Sequence, residues 1–220
     1  EGPLSTAKRR KSYYEEKFPF VKPVQYHIES SHHTFMYVPI LTSLQQLLKK
    51  PDVLEKVKET TAQLPGHYSS YCDGSYYKEN LLLSDEGQKL SIILYVDDFE
   101  IANPLGTSKK IHKVCAVYWT LANLPVKYRS ALHITQLALL CNSNDVRKFG
   151  YAQTFAPLLS DLKTLEEAGV YIETFGDCLK GTVFSVVADN LAAHGLAGFS
   201  ESVRSTHFCR LCLATQTELQ

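Results

Sequence analysis

Two groups of side chains in this sequence are of types, and at spacings, that do chemistry. Asp97 and Asp98 follow the apolar run Leu90–Val96, and Asp189 follows a second apolar run ending at Ala188. Neighbouring carboxylates repel one another and are kept together where a cation neutralises them. An all-oxygen site with open positions suits Mg²⁺ or Mn²⁺. In two-metal phosphoryl chemistry one ion activates the attacking water or 3′-hydroxyl and the other stabilises the leaving oxygen. Asp97 and Asp189 are the leading catalytic and metal-binding pair. Asp98 is the substitute for Asp97, because adjacent strand residues point to opposite faces and sequence does not say which one meets Asp189. An Asp is also common where a strand gives way to a loop, so either acid read alone is an ordinary strand-end residue.

The second group is His207, Cys209 and Cys212. The C-x₂-C spacing lets two thiolates reach one tetrahedral Zn²⁺ from a tight turn, but this is a partial site. A full one needs two more ligands, toward which His207 or His194 supplies a part. Redox chemistry and two ordinary thiols are the alternatives, and no thioredoxin-like strand-to-helix context favours the first. Lys109, Lys110 and Lys113 cluster beyond the turn Asn103-Pro104-Leu105-Gly106. They are candidate contacts to DNA phosphates, or else a solvated hairpin tip. The G-x-S-x-G nucleophile motif and Gly-rich phosphate loops are absent.

These residues need elements to position them. Leu90–Val96 is a buried strand by its β-branched and aromatic content, His112–Leu121 a second and Ala131–Cys141 a third. Tyr151–Ala168 carries Phe155, Leu158, Leu159, Leu162 and Leu165 on one helical face, with Gly169 as the C-terminal stop. Gly181–Ala188 is the next strand. The order strand, strand, strand, helix, strand is that of an RNase H-like mixed α/β sheet, in which the crossover helix returns the fourth strand parallel beside the first. Adjacent strands lie about 4.8 Å apart, which would set the two acids side by side.

Upstream, the three- and four-residue spacing of apolar positions from Val38 to Val57 predicts two short helices meeting at Pro51. Residues 1–33 form a basic arm, read as extended, that carries Lys8-Arg9-Arg10-Lys11. That cluster is a nuclear localisation signal, a phosphate clamp or a solvated tail. Residues 34–87 are the helical segment and a linker, 88–200 the partial core, and 201–220 half of a Cys/His knuckle.

Composition narrows the rest. A 220-residue chain with 45% hydrophobic residues can bury a full core. Lys plus Arg and Asp plus Glu both total 23, so no global positive field draws in nucleic acid and any such contact is local. No apolar run approaches the roughly 20 residues of a membrane span. The six cysteines do not form a disulfide framework, which fits a reducing compartment.

Tyr95 to Gly106, with His112-Lys113 and Tyr118 to Pro125 after it, resembles the region around the first catalytic Asp of eukaryotic DDE/D transposases of the Zisupton and Plavaka group. Tyr37 to Leu48 resembles the helical segment before the core in such proteins, and Ala188 to His194 the second acid. The resemblance implies a nuclear protein that cleaves and joins DNA strands with Mg²⁺ or Mn²⁺, with a zinc knuckle after the second acid and homo-oligomers possible. It also requires a third acid on a later helix. Glu201 and Glu218 lie in the wrong context for it, so the site is incomplete within these residues. The alternative is a catalytically inactive, domesticated relative that keeps the fold as a nuclear DNA- or protein-binding module.

Overall fold

The chain's computed structural model describes residues 2–18, 20–58, 66, 68–101, 112–202, 204–212 and 214–219. Helix α1 (Ala7–Lys17) opens it, followed by strands β1 (Val24–His27) and β2 (Thr34–Tyr37) and helices α2 (Ile40–Leu48), α3 (Pro51–Lys58) and α4 (Ser75–Glu79). Strands β3 (Leu90–Glu100) and β4 (Lys113–Leu121) lead through α5 (Val126–Arg129) to β5 (Gln136–Asn142). Helices α6 (Ser143–Phe149), α7 (Tyr151–Thr154) and α8 (Ala156–Glu167) then precede the hairpin β6 (Val170–Ile172) and β7 (Asp177–Leu179). Strand β8 (Gly181–Ala188) and helix α9 (Asn190–Leu196) follow.

Six strands form one mixed sheet in the order β1-β2-β5-β4-β3-β8. Strand β4 runs antiparallel to both β3 and β5, and β8 runs parallel to β3, with Leu90 opposite Gly181 and Val96 opposite Ala188. The expected parallel return of the last strand beside the first is therefore present. It follows the connection through α6, α7 and α8.

Burial is continuous over much of the central strands: Leu90–Leu94 of β3 and Cys115–Val117 and Trp119–Leu121 of β4 are buried, so both faces are covered there. Leu90, Ile92, Leu94 and Val96 of β3 and Cys115, Val117, Trp119 and Leu121 of β4 line one face of the sheet. Against them pack Leu44, Leu47 and Leu48 of α2, Val53 and Val57 of α3, and Leu158, Leu162 and Leu165 of α8. Tyr37, itself buried, ties β2 to α8 by donating its hydroxyl to Asp161 at 2.7 Å while accepting from the Ile40 N–H at 3.1 Å. Gly169 follows α8 with φ +79°, the left-handed conformation expected at a helix stop.

The opposite face is covered differently. Tyr71 and Tyr76, from the segment around α4, pack on Phe184 of β8 with ring centroids 4.6 and 5.8 Å away. The segment expected to be a linker thus lies on the sheet.

Several elements depart from the sequence reading. The N-terminal arm is not extended throughout, because Ala7–Lys17 is a helix. That run lacks Gly and Pro, is rich in Lys, Arg and Glu, and is capped by the Thr6 hydroxyl accepting from the Arg9 N–H. Its basic cluster lies on a helix that buries no residue. Residues 24–27 and 34–37 pair as a hairpin, so the segment from residue 34 begins as a strand. Residues 131–135 stand outside the third strand. The helix predicted over Tyr151–Ala168 is broken at Phe155 into α7 and α8. Helices α6 and α9 and the β6–β7 hairpin were not anticipated. They are short, and their capping residues sit within runs that read as strand or loop. Strand β3 continues to Glu100, which places Asp97 and Asp98 within the strand rather than after it.

Candidate active-site cleft

Because β3 alternates, its two aspartates face opposite ways. Asp98 continues the row of Leu94 and Val96 and stands directly opposite Cys115 of β4. Asp97 continues the row of Ile93 and Tyr95 on the open face, opposite Ala116. Asp189 follows Ala188, the partner of Val96, and serves as N-cap of α9, its Oδ1 accepting from the Ala192 N–H at 2.7 Å.

Asp189 lies at the sheet's end and borders both faces. On the helix-covered side, Asp98, Asp189 and Glu201 line a cleft of about 90 Å³ together with Lys113, Ser143 and Arg147. On the open side, Asp97 and Asp189 border a broader depression of about 510 Å³ with Tyr95, Tyr118, Arg129 and Thr135. Sequence reasoning therefore named both possible pairings, and the structure brings Asp189 to each of them.

Glu201 was set aside as lying in the wrong context, yet it joins Asp98 and Asp189 in the cleft. The signal that could have found it is Gly195. A Cβ there would stand 2.6 Å from Glu201 Oε1 and 3.4 Å from the Tyr151 ring and hydroxyl. A Cβ at this position would push the flexible end of Glu201 aside from its place against α9.

The cleft's electrostatics are mixed. Arg147 Nη2 lies 3.8 Å from Asp98 Oδ2, a long pair between partly exposed groups that contributes little to stability. Burial, and then the charge of Asp98, push the Cys115 thiol up to about 12. Burial, followed by the nearby Cys115, Glu201 and Asp98, pushes the Tyr151 phenol up to about 12. Both groups are neutral, protonated walls at physiological pH.

The donor set suits a hard divalent ion. Among the described residues no three His, Cys, Asp or Glu side chains come together closely enough to hold one metal. Mg²⁺ commonly binds through one or two carboxylates plus waters and substrate phosphates, so a carboxylate pair is sufficient.

The cysteine segment lies beside the same helix. Cys209 Sγ accepts from the Leu211 N–H at 3.4 Å. That bond, followed by the side chain and backbone of Cys212, holds the Cys209 thiol below its ordinary value. Arg210 Nη1 donates to Asn190 Oδ1 at 2.9 Å, tying the segment to α9. His194 donates Nδ1–H to the Ser200 carbonyl at 2.8 Å, and His207 pairs by its backbone with Thr215. Cys209 and Cys212 are not joined by a third ligand among the described residues.

Of the three candidate DNA-contacting lysines, Lys113 lines the acidic cleft. Lys109 and Lys110, with the Asn103–Gly106 turn, lie outside the described residues. No described helix is long and apolar enough to cross a membrane. No protein-family model matches the chain, and a search of curated proteins finds no relative.

Proposed function

We propose that the chain carries an RNase H-like domain for metal-assisted phosphoryl transfer on DNA, with Asp98 and Asp189 as the metal-holding carboxylates. The observation that carries the reading is topological. Four strands in the order β5-β4-β3-β8, with β8 parallel to β3, bring an acid from inside β3 and an acid just past β8 to one end of the sheet. That is the arrangement a transposase-like core requires.

Asp98 is favoured over Asp97 because it shares an enclosed cleft with Asp189 and a further carboxylate. A divalent ion bound there would supply charge neutralisation and an activated water or hydroxyl for attack at phosphorus. The chain's own part is to hold that geometry. Strand β3 fixes Asp98 through its register with β4, and the α9 cap fixes Asp189 by its bond from Ala192. Cys115 and Tyr151 line the cleft as protonated groups that do not compete for the cation. Cys209, Cys212 and His207 would form part of a zinc site with ligands beyond those described.

The test is Mn²⁺ binding followed by electron paramagnetic resonance. Asp98→Asn and Asp189→Asn should each weaken it by at least the roughly 10–100-fold that even an outer-shell partner is worth. Asp97→Asn should leave it close to that of the unaltered chain. If Asp97→Asn causes the loss and Asp98→Asn does not, the open-face depression is the site. If neither does, the domain is not a metal-dependent nuclease core, and the binding-module reading takes its place.

A further inference from the structure

The acidic cleft has a second wall that the carboxylates do not explain. Ser143 and Arg147 are four residues apart on α6, so they share one helix face, and both line the cleft opposite Asp189 and α9. Ser143 is 1% exposed, and among the described residues its Oγ has no hydrogen-bond partner. A buried hydroxyl without a partner is costly to fold, and its position at a polar cleft points to a ligand that supplies the missing bond. Arg147 contributes a planar fork of donors suited to phosphate oxygens. Lys113, at the start of β4, adds a second positive charge. Among the described residues the ion pair of Arg147 is the long contact to Asp98, at 3.8 Å between partly exposed groups, and the side chain can turn toward an incoming anion at small cost.

We infer that Ser143, Arg147 and Lys113 form a phosphate subsite that receives a nucleic-acid backbone phosphate beside the Asp98–Asp189 pair. The inference rests on the metal reading above, because three carboxylates line the cleft and an anion enters only where a cation offsets them. The ligand chemistry is that of a phosphodiester. The hydroxyl and the guanidinium donate to its non-bridging oxygens, and the lysine acts as a point charge. The residues are positioning groups, with no role in breaking bonds.

Two variants of the full chain test this, with a short fluorescein-labelled DNA duplex followed by anisotropy in the presence of Mn²⁺. Ser143→Ala removes an unpartnered buried hydroxyl, so it should keep or raise Tm while weakening the duplex about threefold. A merely structural serine would show the opposite, a lowered Tm and unchanged binding, and that result overturns the subsite. Arg147→Gln should weaken the duplex about tenfold and reduce the salt dependence of binding by about one phosphate contact. Unchanged affinity in both variants also overturns it.

Mn²⁺ binding measured on the same samples separates the two ideas. Both variants should retain it, whereas Asp189→Asn should lose it. An unaltered Mn²⁺ titration in Asp189→Asn sinks the metal reading itself. Failure of the α6 variants alone sinks only the subsite.

Discussion

Asp97 and Asp98 are neighbours in sequence and lie in two different environments. Asp98 continues the row of side chains on which α2, α3 and α8 pack, and it lines a narrow, walled cleft. Asp97 continues the opposite row, which is buried at Ser91 and Ile93, and at its own position the chain is exposed and borders a broad depression. A single residue step along β3 separates the narrow cleft on the helix-covered side from the broad depression on the other. Chemistry that must exclude water and hold charged groups in fixed geometry belongs on the packed side, where preorganised dipoles are worth most.

The largest effect that bears on this contrast should come from the sealed face. Trp119 of β4 is fully buried, opposite Leu94 of β3. Trp119→Ala should cost about 3–5 kcal/mol, read as a lower urea midpoint. Trp119 Nε1 has no hydrogen-bond partner among the described residues, so Trp119→Phe should cost much less. On the open face, Phe184 is only half-buried under Tyr71 and Tyr76. Phe184→Ala should cost about 1–2 kcal/mol, because part of its surface meets water already. Equal costs for the two truncations would show that the faces are equally packed and that the contrast between the aspartates has another origin.

The contrast was partly legible in the sequence. The dense apolar runs around Ile92 and Val183 marked the central strands, because a strand buried on both faces, as β3 is from Leu90 to Leu94, reads as a continuous apolar stretch. Gly169 marked the end of α8, because only a positive φ continues the chain there. The side of the sheet that each aspartate meets was not legible. Alternation gives opposite faces, and which face is sealed depends on α2 and α3, far away in sequence. Glu201 was missed for a related reason. Its approach to the cleft depends on α9 turning the chain back, which has no local sequence period. Helix α6, with Ser143 and Arg147, was hidden because its seven residues follow directly on β5. The hairpin β1–β2 was hidden by prolines and polar residues around it, although edge strands tolerate both.

The smallest effect concerns what holds the open face's cover in place. Asp73 sits in the turn just before α4, and its Oδ2 accepts from the Ser69 and Ser70 N–H groups at 2.8 Å each. Ser70 returns the arrangement by accepting from the turn, so the two residues cap it reciprocally and fix Tyr71 over Phe184. The backbone N–H of Ser70, then that of Ser69, hold the Asp73 carboxyl below its ordinary value. A carboxylate with a depressed folded-state pKa contributes stability that is fully present above the unfolded value, about 3.9, and is lost as pH falls through the folded one. Asp73→Asn should therefore lower Tm at neutral pH, by less than either aromatic truncation. The gap from the unaltered chain should narrow as pH drops below about 4 and close once the native carboxylate is protonated. Thermal melts across that range check it. A gap independent of pH would mean that the side chain's shape, and not its charge, holds the cover over β8.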